Sequence, residues 1–440
     1  MLDQTKAIER RRHTRIRRGL LPAALALLSI VGPGIITASA DNDVGGIATY
    51  SQAGAQYGYA ILWTLIPITI ALIVVQEMAA RMGAVTGKGL SGLIRENFGV
   101  RWTALLGISF VASNVFTTSA EFAGIAAAAQ IFHVSKFLAV PAAALLVFFL
   151  ILRANRKTTE RVFLVSSALY FSYVISGLKS EPHWPDVWRG FLLPSFQLNS
   201  GYLWMIIALV GTTISPWMCF YLQAAIVEKG VRVRDYALSR IDVVFGCFVT
   251  DFMSFFMILC TAATIFAFNE SHPHAPPIQI NQASDAALAL VPLAGAFAST
   301  LFALGILNAG IFTASILPLS TAYYVCEAGG FEAGVDNRFR EAPVFFSLYA
   351  AVIVIGAGLV LIPGIPLLSV ILISQVVSGV LLPFLLVFML ILVNKPQLMG
   401  SHVNTPVFNA IAWATVVIVG ALTLLSVYQS VAPVFSGRGS

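Results

Sequence analysis

The sequence predicts an all-α membrane protein whose chain crosses the bilayer many times. Of its 440 residues, 58% are hydrophobic and only 10% are charged, and the mean hydropathy is +0.85. A soluble domain carries about a quarter charged residues, so this composition excludes one. The apolar runs are continuous and repeatedly exceed the roughly 18–20 residues that a transmembrane helix needs. The strands of a transmembrane barrel would instead alternate apolar and polar residues.

Eleven apolar segments follow one another along the chain. The first and sixth are interrupted by polar residues together with glycine or proline. The eighth is too long for one crossing, so we expect its first turns on the membrane surface or in an outer vestibule. The predicted spans are about 20–56, 58–83, 102–132, 137–153, 162–178, 202–228, 238–267, 289–326, 344–363, 366–393 and 408–432.

The distribution of basic residues predicts the orientation of these spans. With the N-terminus inside, 22 of the 26 Lys and Arg residues fall in cytoplasmic segments. Such an asymmetry is typical of the positive-inside rule, so the basic segment 1–19 is expected in the cytoplasm and the C-terminus outside. No small-residue cleavage site follows the basic segment, so it is not interpreted as a signal peptide. The net charge of +6 is then a topology signal, with the lipid bilayer rather than nucleic acid as partner.

The first span is broken by an acidic cluster. Asp41, Asn42 and Asp43 are followed by Gly45 and Gly46 in the middle of an apolar run. A charge at this depth costs at least ~2.5–3.5 kcal/mol unless it faces water, a cation or a partner. Glycine lets the backbone leave the helix beside these charges. This cluster therefore predicts a functional site.

The sixth span is broken by a proline in the stretch VGTTISPWMCFYLQAA. Pro216 removes one helical hydrogen bond and frees backbone carbonyls around Thr212, with Ser215 just before it. Free carbonyls at membrane depth are tolerated where they line a cavity or a bound ion.

The two breaks occupy matching places if the chain contains two repeats of opposite orientation. Such a pairing indicates a secondary transporter with its substrate site near the bilayer midplane. The predicted organisation is a first repeat over 20–180, a second over 202–393, an additional helix at 408–432 and an extracellular segment at 433–440.

Four stretches of the chain resemble the NRAMP family of divalent-metal transporters. They are GPGIITASADNDVGGIATYSQAGAQYGY, VQEMAARMGAVTGKGLSGLIRENFG, AEFAGIAAA and SQVV followed by LPF, together with the proline break. The resemblance covers essentially the whole chain. It implies a LeuT-type fold of eleven helices, with two inverted five-helix repeats and broken helices 1 and 6. It also implies transport of Mn²⁺, Fe²⁺ and related ions, usually with protons.

The sequence departs from the family at residues that bind the ion. The family motif Asp-Pro-Gly-Asn reads Asp43, Val44, Gly45 and Gly46 here, so the asparagine ligand is lost. The motif Ala-Thr-Val-Met-Pro-His reads Thr212 to Trp217, which puts Ser215 in place of the methionine ligand.

Further departures affect the residues associated with protons. An aspartate of the third span that helps carry protons in the family aligns with Thr118, while Glu121 is kept. The histidine of the proline motif is replaced by Trp217, and a second histidine of the sixth span aligns with Leu222. The predicted metal ligands are Asp41, Asn42, Asp43, Gly46, Thr212, Ser215 and Gln375, and the predicted site-lining or gate residues are Gly45, Thr118, Glu121 and Trp217.

The chemistry of these substitutions favours a hard cation. A thioether is a soft ligand that selects transition metals, whereas carboxylate and hydroxyl oxygens do not. Mg²⁺ keeps several waters and is bound through one or two carboxylates. Whether Met218 or Cys219 restores sulfur to the site stays open. The predicted substrate is Mg²⁺, with Mn²⁺ as a second ion, as in the NRAMP-related magnesium transporters.

Proton coupling is not expected, because no histidine lies inside a predicted span. Two alternatives remain: a proton-coupled importer of Mn²⁺ or Fe²⁺, and a LeuT-type carrier of an organic substrate. An enzyme is not expected, since no nucleophile and base pair is evident. No cofactor is expected, and the oligomeric state stays open. The four cysteines are interpreted as buried free thiols.

Overall fold

The computed structural model describes residues 33–153 and 170–435, apart from 275, 277, 279, 281–290 and 366. The predicted N-terminal segment 1–19, the start of the first span, the first half of the fifth span and the end of the C-terminal segment lie outside the described residues. Within them, every regular element is a helix.

Both predicted breaks are confirmed. The first span consists of the half-helices α1 (Pro33–Asp41) and α2 (Val44–Tyr57), which are separated by Asn42 and Asp43. A second pair of half-helices takes the place of the sixth span, as described below.

The remaining helices follow the predicted order, with ends that differ by a few residues. A 3₁₀ turn, Gly58–Thr64, leads from α2 into the second span. The helices of the chain after α2 are α3 (Leu65–Thr86), α4 (Leu90–Phe98), α5 (Val100–Ile131), α6 (Lys136–Arg153), α7 (Phe171–Lys179), α8 (Trp184–Leu192), α9 (Ser200–Thr213), α10 (Pro216–Glu228), α11 (Tyr236–Thr261), α12 (Ala267–Ser271), α13 (Val291–Gly329), α14 (Pro343–Leu361), α15 (Leu367–Val393), α16 (Pro396–Met399) and α17 (Pro406–Phe435).

The half-helices α9 and α10 form the sixth span. They are separated by Ile214 and Ser215, and Pro216 is the first residue of α10, where its missing N–H and fixed φ are compatible with a helix start. Half-helix α1 packs against α10, and α2 packs against α9. The two breaks therefore meet in the interior of the bundle.

Nine segments among the described residues are long and apolar enough to cross a membrane. One of them, Val44–Thr86, combines the second half of the first span with the whole of the second span. The eighth span is one continuous helix, α13, as the orientation prediction requires.

Three short helices were not predicted. Helices α4, α8 and α16 lie in the connections between spans. Helix α11 also continues through a π-helical turn, Ala262–Phe266, into α12. Such turns insert one extra residue into a helix, which a hydropathy pattern does not reveal.

Polar contacts tie the predicted cytoplasmic end of the bundle together. The Asp242 carboxylate of α11 accepts from the Gly34 amide of α1 at 2.8 Å and from the Ile35 amide at 3.3 Å. The carboxylate thereby caps N–H groups at the start of α1 that have no partner within the helix. Nearby, Arg81 pairs with Glu77 at 3.1 Å and donates to the carbonyls of the segment after α16.

The first half of the sixth span is in backbone contact with α15. A Cβ atom built on Gly211 would lie 2.3 Å from the Gln375 carbonyl oxygen and 2.5 Å from the Gly379 nitrogen. Small residues allow such close approach of membrane helices. Gly211 and Gly379 therefore define how closely α9 and α15 pack.

We expect Gly211→Ala to destabilise the protein by about 1–3 kcal/mol, because the added methyl group meets backbone atoms that cannot rotate away. The melting temperature of the purified protein in detergent measures this loss. Gly358→Ala in α14 is the matched control, since a Cβ there would have no neighbour within 4 Å. Equal melting temperatures for the two variants would contradict the contact.

Candidate cation site at the two helix breaks

Asp43 lies between α1 and α2 and caps the second half-helix. Its Oδ1 atom accepts a hydrogen bond from the Gly46 amide, and its backbone is extended, as expected for an N-cap residue. The Oδ2 atom has no hydrogen-bond partner, and Asp43 is only 1% exposed. One carboxylate oxygen is thus structural and the other is available.

Glu121 of α5 reaches the same helix end. Its Oε2 atom accepts from the Val44 amide at 3.1 Å, while Oε1 is buried and has no partner. The start of a helix carries a partial positive charge that favours carboxylates. The sequence analysis assigned Glu121 to the site lining, and the structure places it beside the Asp43 carboxylate, with which it interacts electrostatically.

Three oxygen atoms converge in front of Gly46. A Cβ atom built on this glycine would lie 3.2 Å from the Asp41 carbonyl, 3.2 Å from Asp43 Oδ1 and 3.2 Å from Thr212 Oγ1. The Thr212 hydroxyl is buried and has no hydrogen-bond partner. Groups from both helix breaks therefore come together where the predicted ligand position carries no side chain.

Asp41 and Asn42 occupy the turn itself. Asn42 donates to the Thr250 hydroxyl of α11 at 3.2 Å, which leaves its Oδ1 atom without a partner. Asp41 is 1% exposed, and neither of its carboxylate oxygens has a hydrogen-bond partner. The charged groups that act on Asp41 are the carboxylates of Asp43 and Asp251.

Ser215 faces its own helix in this conformation. Its hydroxyl donates to the carbonyls of Gly211 at 2.8 Å and Thr212 at 3.0 Å. The proline does free the Thr212 carbonyl, as predicted, but the serine hydroxyl satisfies it. Ser215 can then offer an ion only the lone pairs of its oxygen.

Gln375 of α15 packs directly on Gly45. A Cβ atom on Gly45 would lie 1.7 Å from Gln375 Nε2, so only glycine allows this approach. The amide nitrogen donates to Ser374 at 3.2 Å, and the Oε1 atom is buried without a partner. Gln375 therefore contacts the half-helix that Asp43 caps.

The remaining predicted site residues lie in apolar surroundings. The indole nitrogen of Trp217 is buried without a partner, and its ring centroid is 6.5 Å from that of Tyr221. Thr118 packs against Gly356 of α14, and its hydroxyl is buried and unpartnered. Met218 lies in the first turn of α10 and is fully buried, as is its neighbour Cys219.

Several residues near the breaks were not assigned to the site from the sequence. Tyr50 of α2 bonds to the Thr213 hydroxyl, and Thr313 of α13 donates to the Ala40 carbonyl at 3.0 Å. The buried Tyr170 hydroxyl has no partner and interacts electrostatically with Glu121. Asp251 of α11 is a further buried residue of this group, and an ionisable residue at membrane depth is itself a signal of function.

The donor set contains few groups of the kinds that bind soft metals. Within the described ranges, no three His, Cys, Asp or Glu side chains lie close enough together to hold a metal ion. What the breaks supply is carboxylate, carbonyl, hydroxyl and amide oxygen. Oxygen ligands of this kind suit hard cations.

The chain is similar to bacterial metal transporters over most of its length. It is 28% identical to the divalent metal cation transporter MntH of Klebsiella pneumoniae subsp. pneumoniae over 406 residues, which cover 90% of this chain and 92% of the relative. It is 27% identical to the MntH of Aeromonas hydrophila subsp. hydrophila, with 91% and 95% covered.

Solved structures confirm the fold class. A mutant of the manganese transporter of Eremococcus coleocola has a TM-score of 0.72 and 20% identity, covering 97% of this chain and 92% of that one. The structure of MhsT in complex with L-phenylalanine has a TM-score of 0.58 and 14% identity, covering 89% and 98%. The all-α, LeuT-type architecture with broken helices 1 and 6 is thereby confirmed.

The model of the family described as natural resistance-associated macrophage protein-like matches residues 34–429, which include both helix breaks. The chain therefore belongs to the Nramp family.

Proposed function

We propose that this protein is a secondary transporter of divalent metal ions that works by alternating access around the two helix breaks. Its substrates are Mg²⁺ and, second, Mn²⁺, and transport is not coupled to protons. This places it with the NRAMP-related magnesium transporters. The protein is proposed to lie in the cell membrane, with its N-terminus in the cytoplasm and its C-terminus outside.

The observation that carries the proposal is the oxygen cluster in front of Gly46. The Asp41 carbonyl, Asp43 Oδ1 and Thr212 Oγ1 surround a position without a side chain. An ion held by these groups beside Gly46 would have oxygen neighbours from both broken helices, and relative movement of the two breaks would change its coordination. This is the arrangement that alternating access around a midplane site requires.

The size and hardness of the site support Mg²⁺. Ser215 provides oxygen where a thioether would favour transition metals. Gly46 provides no side-chain ligand where the family has an asparagine, which leaves that coordination position to water. Mg²⁺ sheds water reluctantly, so its site needs one or two carboxylates and space for the water molecules that the ion retains.

The relatives support the broader class of substrate. The two bacterial proteins are named divalent metal cation transporters, and the Eremococcus protein is named a manganese transporter. Metal transport is thus common to proteins that resemble this chain over nearly its whole length. The departures at Gly46 and Ser215 support the narrower choice of Mg²⁺.

The site also lacks the usual titrating group of proton-coupled transport. His133, His183, His272 and His402 lie at helix ends or in connections among the described residues. Histidine is the side chain whose unperturbed pKa lies closest to neutral pH. Its absence from the breaks supports uncoupled transport.

A flux assay separates the proposed function from the proton-coupled alternative. Purified protein in liposomes is given an inward Mg²⁺ gradient and a potassium-set membrane potential, with Mg²⁺ and pH dyes inside parallel samples. We expect Mg²⁺ entry without acidification of the lumen. Manganese entry accompanied by acidification, with no Mg²⁺ entry, would instead establish a proton-coupled transition-metal importer.

Removing the Asp43 carboxylate should abolish uptake. We expect Mg²⁺ and Mn²⁺ influx by Asp43→Ala to fall to the level of empty liposomes, because the ion loses its closest negative ligand. Asp235→Ala is the matched control, since this exposed aspartate lies in the connection before α11. Normal influx in a correctly inserted Asp43→Ala protein would contradict the proposed site.

Restoring the family ligands should change the selectivity. We expect Gly46→Asn combined with Ser215→Met to raise the preference for Cd²⁺ over Mg²⁺ by about tenfold, equivalent to about 1.4 kcal/mol. The introduced thioether is a soft ligand, and the asparagine fills the space of retained water. Competition of Cd²⁺ with Mg²⁺ influx measures the ratio, and the single variants separate the two effects. An unchanged ratio would show that neither position faces the ion.

A further inference from the structure

We propose that Asp41 and Asp251 together bind a second hard cation, between the first helix break and α11. The inference rests on the proposed function for the first ion, at Asp43 and Thr212. It assigns a separate cation to the side of the break that faces α11.

The two carboxylates are buried and poorly satisfied by hydrogen bonds. Asp41 is 1% exposed and neither of its carboxylate oxygens has a partner, whereas Asp251 is 6% exposed and has the Thr69 hydroxyl beside its carboxylate. The two groups interact electrostatically across the space between α1 and α11. Buried like charges without counter-ions are strongly unfavourable, and a cation between the two carboxylates would offset this cost.

The Asp41 residue can serve both ions through different atoms. Its main-chain carbonyl faces the Gly46 position of the first site. Its carboxylate takes no part in the hydrogen bonds that hold the first break together. The carboxylate is therefore available to a second ion without removing a ligand from the first.

The surroundings of the pair are mainly oxygen on one side and hydrocarbon on the other. Tyr50 interacts electrostatically with both carboxylates, and so does the Cys247 thiol, one turn before Asp251. Thr250, next to Asp251 in the chain, directs its hydroxyl proton to the Ala38 carbonyl. Four carboxylate oxygens dominate this set, which favours a hard cation.

Among the described residues that line the outer side of Asp251, none is basic. There it lines an apolar cleft of about 770 Å³ between α3, α8 and α11. The polar side chain beside it is Thr69, whose hydroxyl donates to the Leu65 carbonyl at 2.7 Å and also lies beside the Asp251 carboxylate. Among the residues that line the cleft, Asp251 therefore meets one hydroxyl and no counter-ion.

The charge balance at the breaks supports a second cation. Asp43 interacts with Glu121 and Asp41, and Asp41 interacts with Asp251. These four buried carboxylates form a connected series, and one divalent ion offsets the charge of only two of them. The start of α2 partly compensates Asp43 and Glu121 through the Gly46 and Val44 amides. Asp41 has no such compensation, and Asp251 has only the Thr69 hydroxyl beside it.

Counting the bound cations tests the inference. Purified full-length protein, first stripped with a chelator, is dialysed to equilibrium against radioactive Mn²⁺, with radioactive Na⁺ in parallel. We expect two cations per chain: either two Mn²⁺, which makes the second site divalent, or one Mn²⁺ with one Na⁺, which makes it monovalent. A total of one cation per chain would overturn the inference, whatever any variant does.

Asp251→Asn should remove one cation and leave the other. Retention of the first Mn²⁺ also shows that the variant has folded. Glu327→Gln is the matched control, because it changes a buried carboxylate of α13 that accepts from Ser91 at 2.9 Å, and both cations should remain. Two cations in Asp251→Asn would overturn the assignment.

The same experiment distinguishes this inference from the proposed function. Full transport by Asp43→Ala would contradict the transport site, irrespective of the number of bound ions. Normal transport dependence on Asp43 combined with a single bound cation would contradict the second site alone.

Discussion

The structure depends above all on negative charge that is buried where the first membrane helix breaks. A carboxylate in the membrane interior needs donors or a cation, and the backbone here can provide only part of that compensation. The amides of Val44 and Gly46 satisfy one oxygen each of Glu121 and Asp43. The remaining oxygen of each carboxylate is buried without a hydrogen-bond partner. Under the proposed function, a bound ion would supply the missing partner.

Much of this arrangement could be predicted because charged residues and prolines are conspicuous in apolar runs. Asp43 and Pro216 each marked a helix end to within a few residues. Gly46 was also informative, because a residue without a side chain lets groups of the two helix breaks approach each other. The charge asymmetry required one helix rather than two in the eighth span, and α13 is continuous.

The parts that could not be predicted depend on contacts between residues far apart in the chain. Asn42 donates to Thr250, which lies 208 residues later in the chain. No local pattern indicates that the Asn42 amide, rather than the Gln375 amide, will find such a distant partner. Ser215 bonds to its own helix, an option open to any serine near freed carbonyls. Asp251 was visible as an intramembrane charge, but its relation to Asp41 follows only from the packing of α11 against α1.

The close packing of Gly211 on Gly379 has a mechanical consequence. Two helices whose backbones touch cannot slide or rotate past each other without separating, so we expect α9 and α15 to move together. Gln375 then travels with Thr212 whenever these helices move. The flexible joint of the sixth span is confined to Ile214 and Ser215, where the helical hydrogen bonds are interrupted. A rocking movement of the bundle would bend the chain at Ile214 and Ser215 and leave the backbone contact between α9 and α15 unchanged.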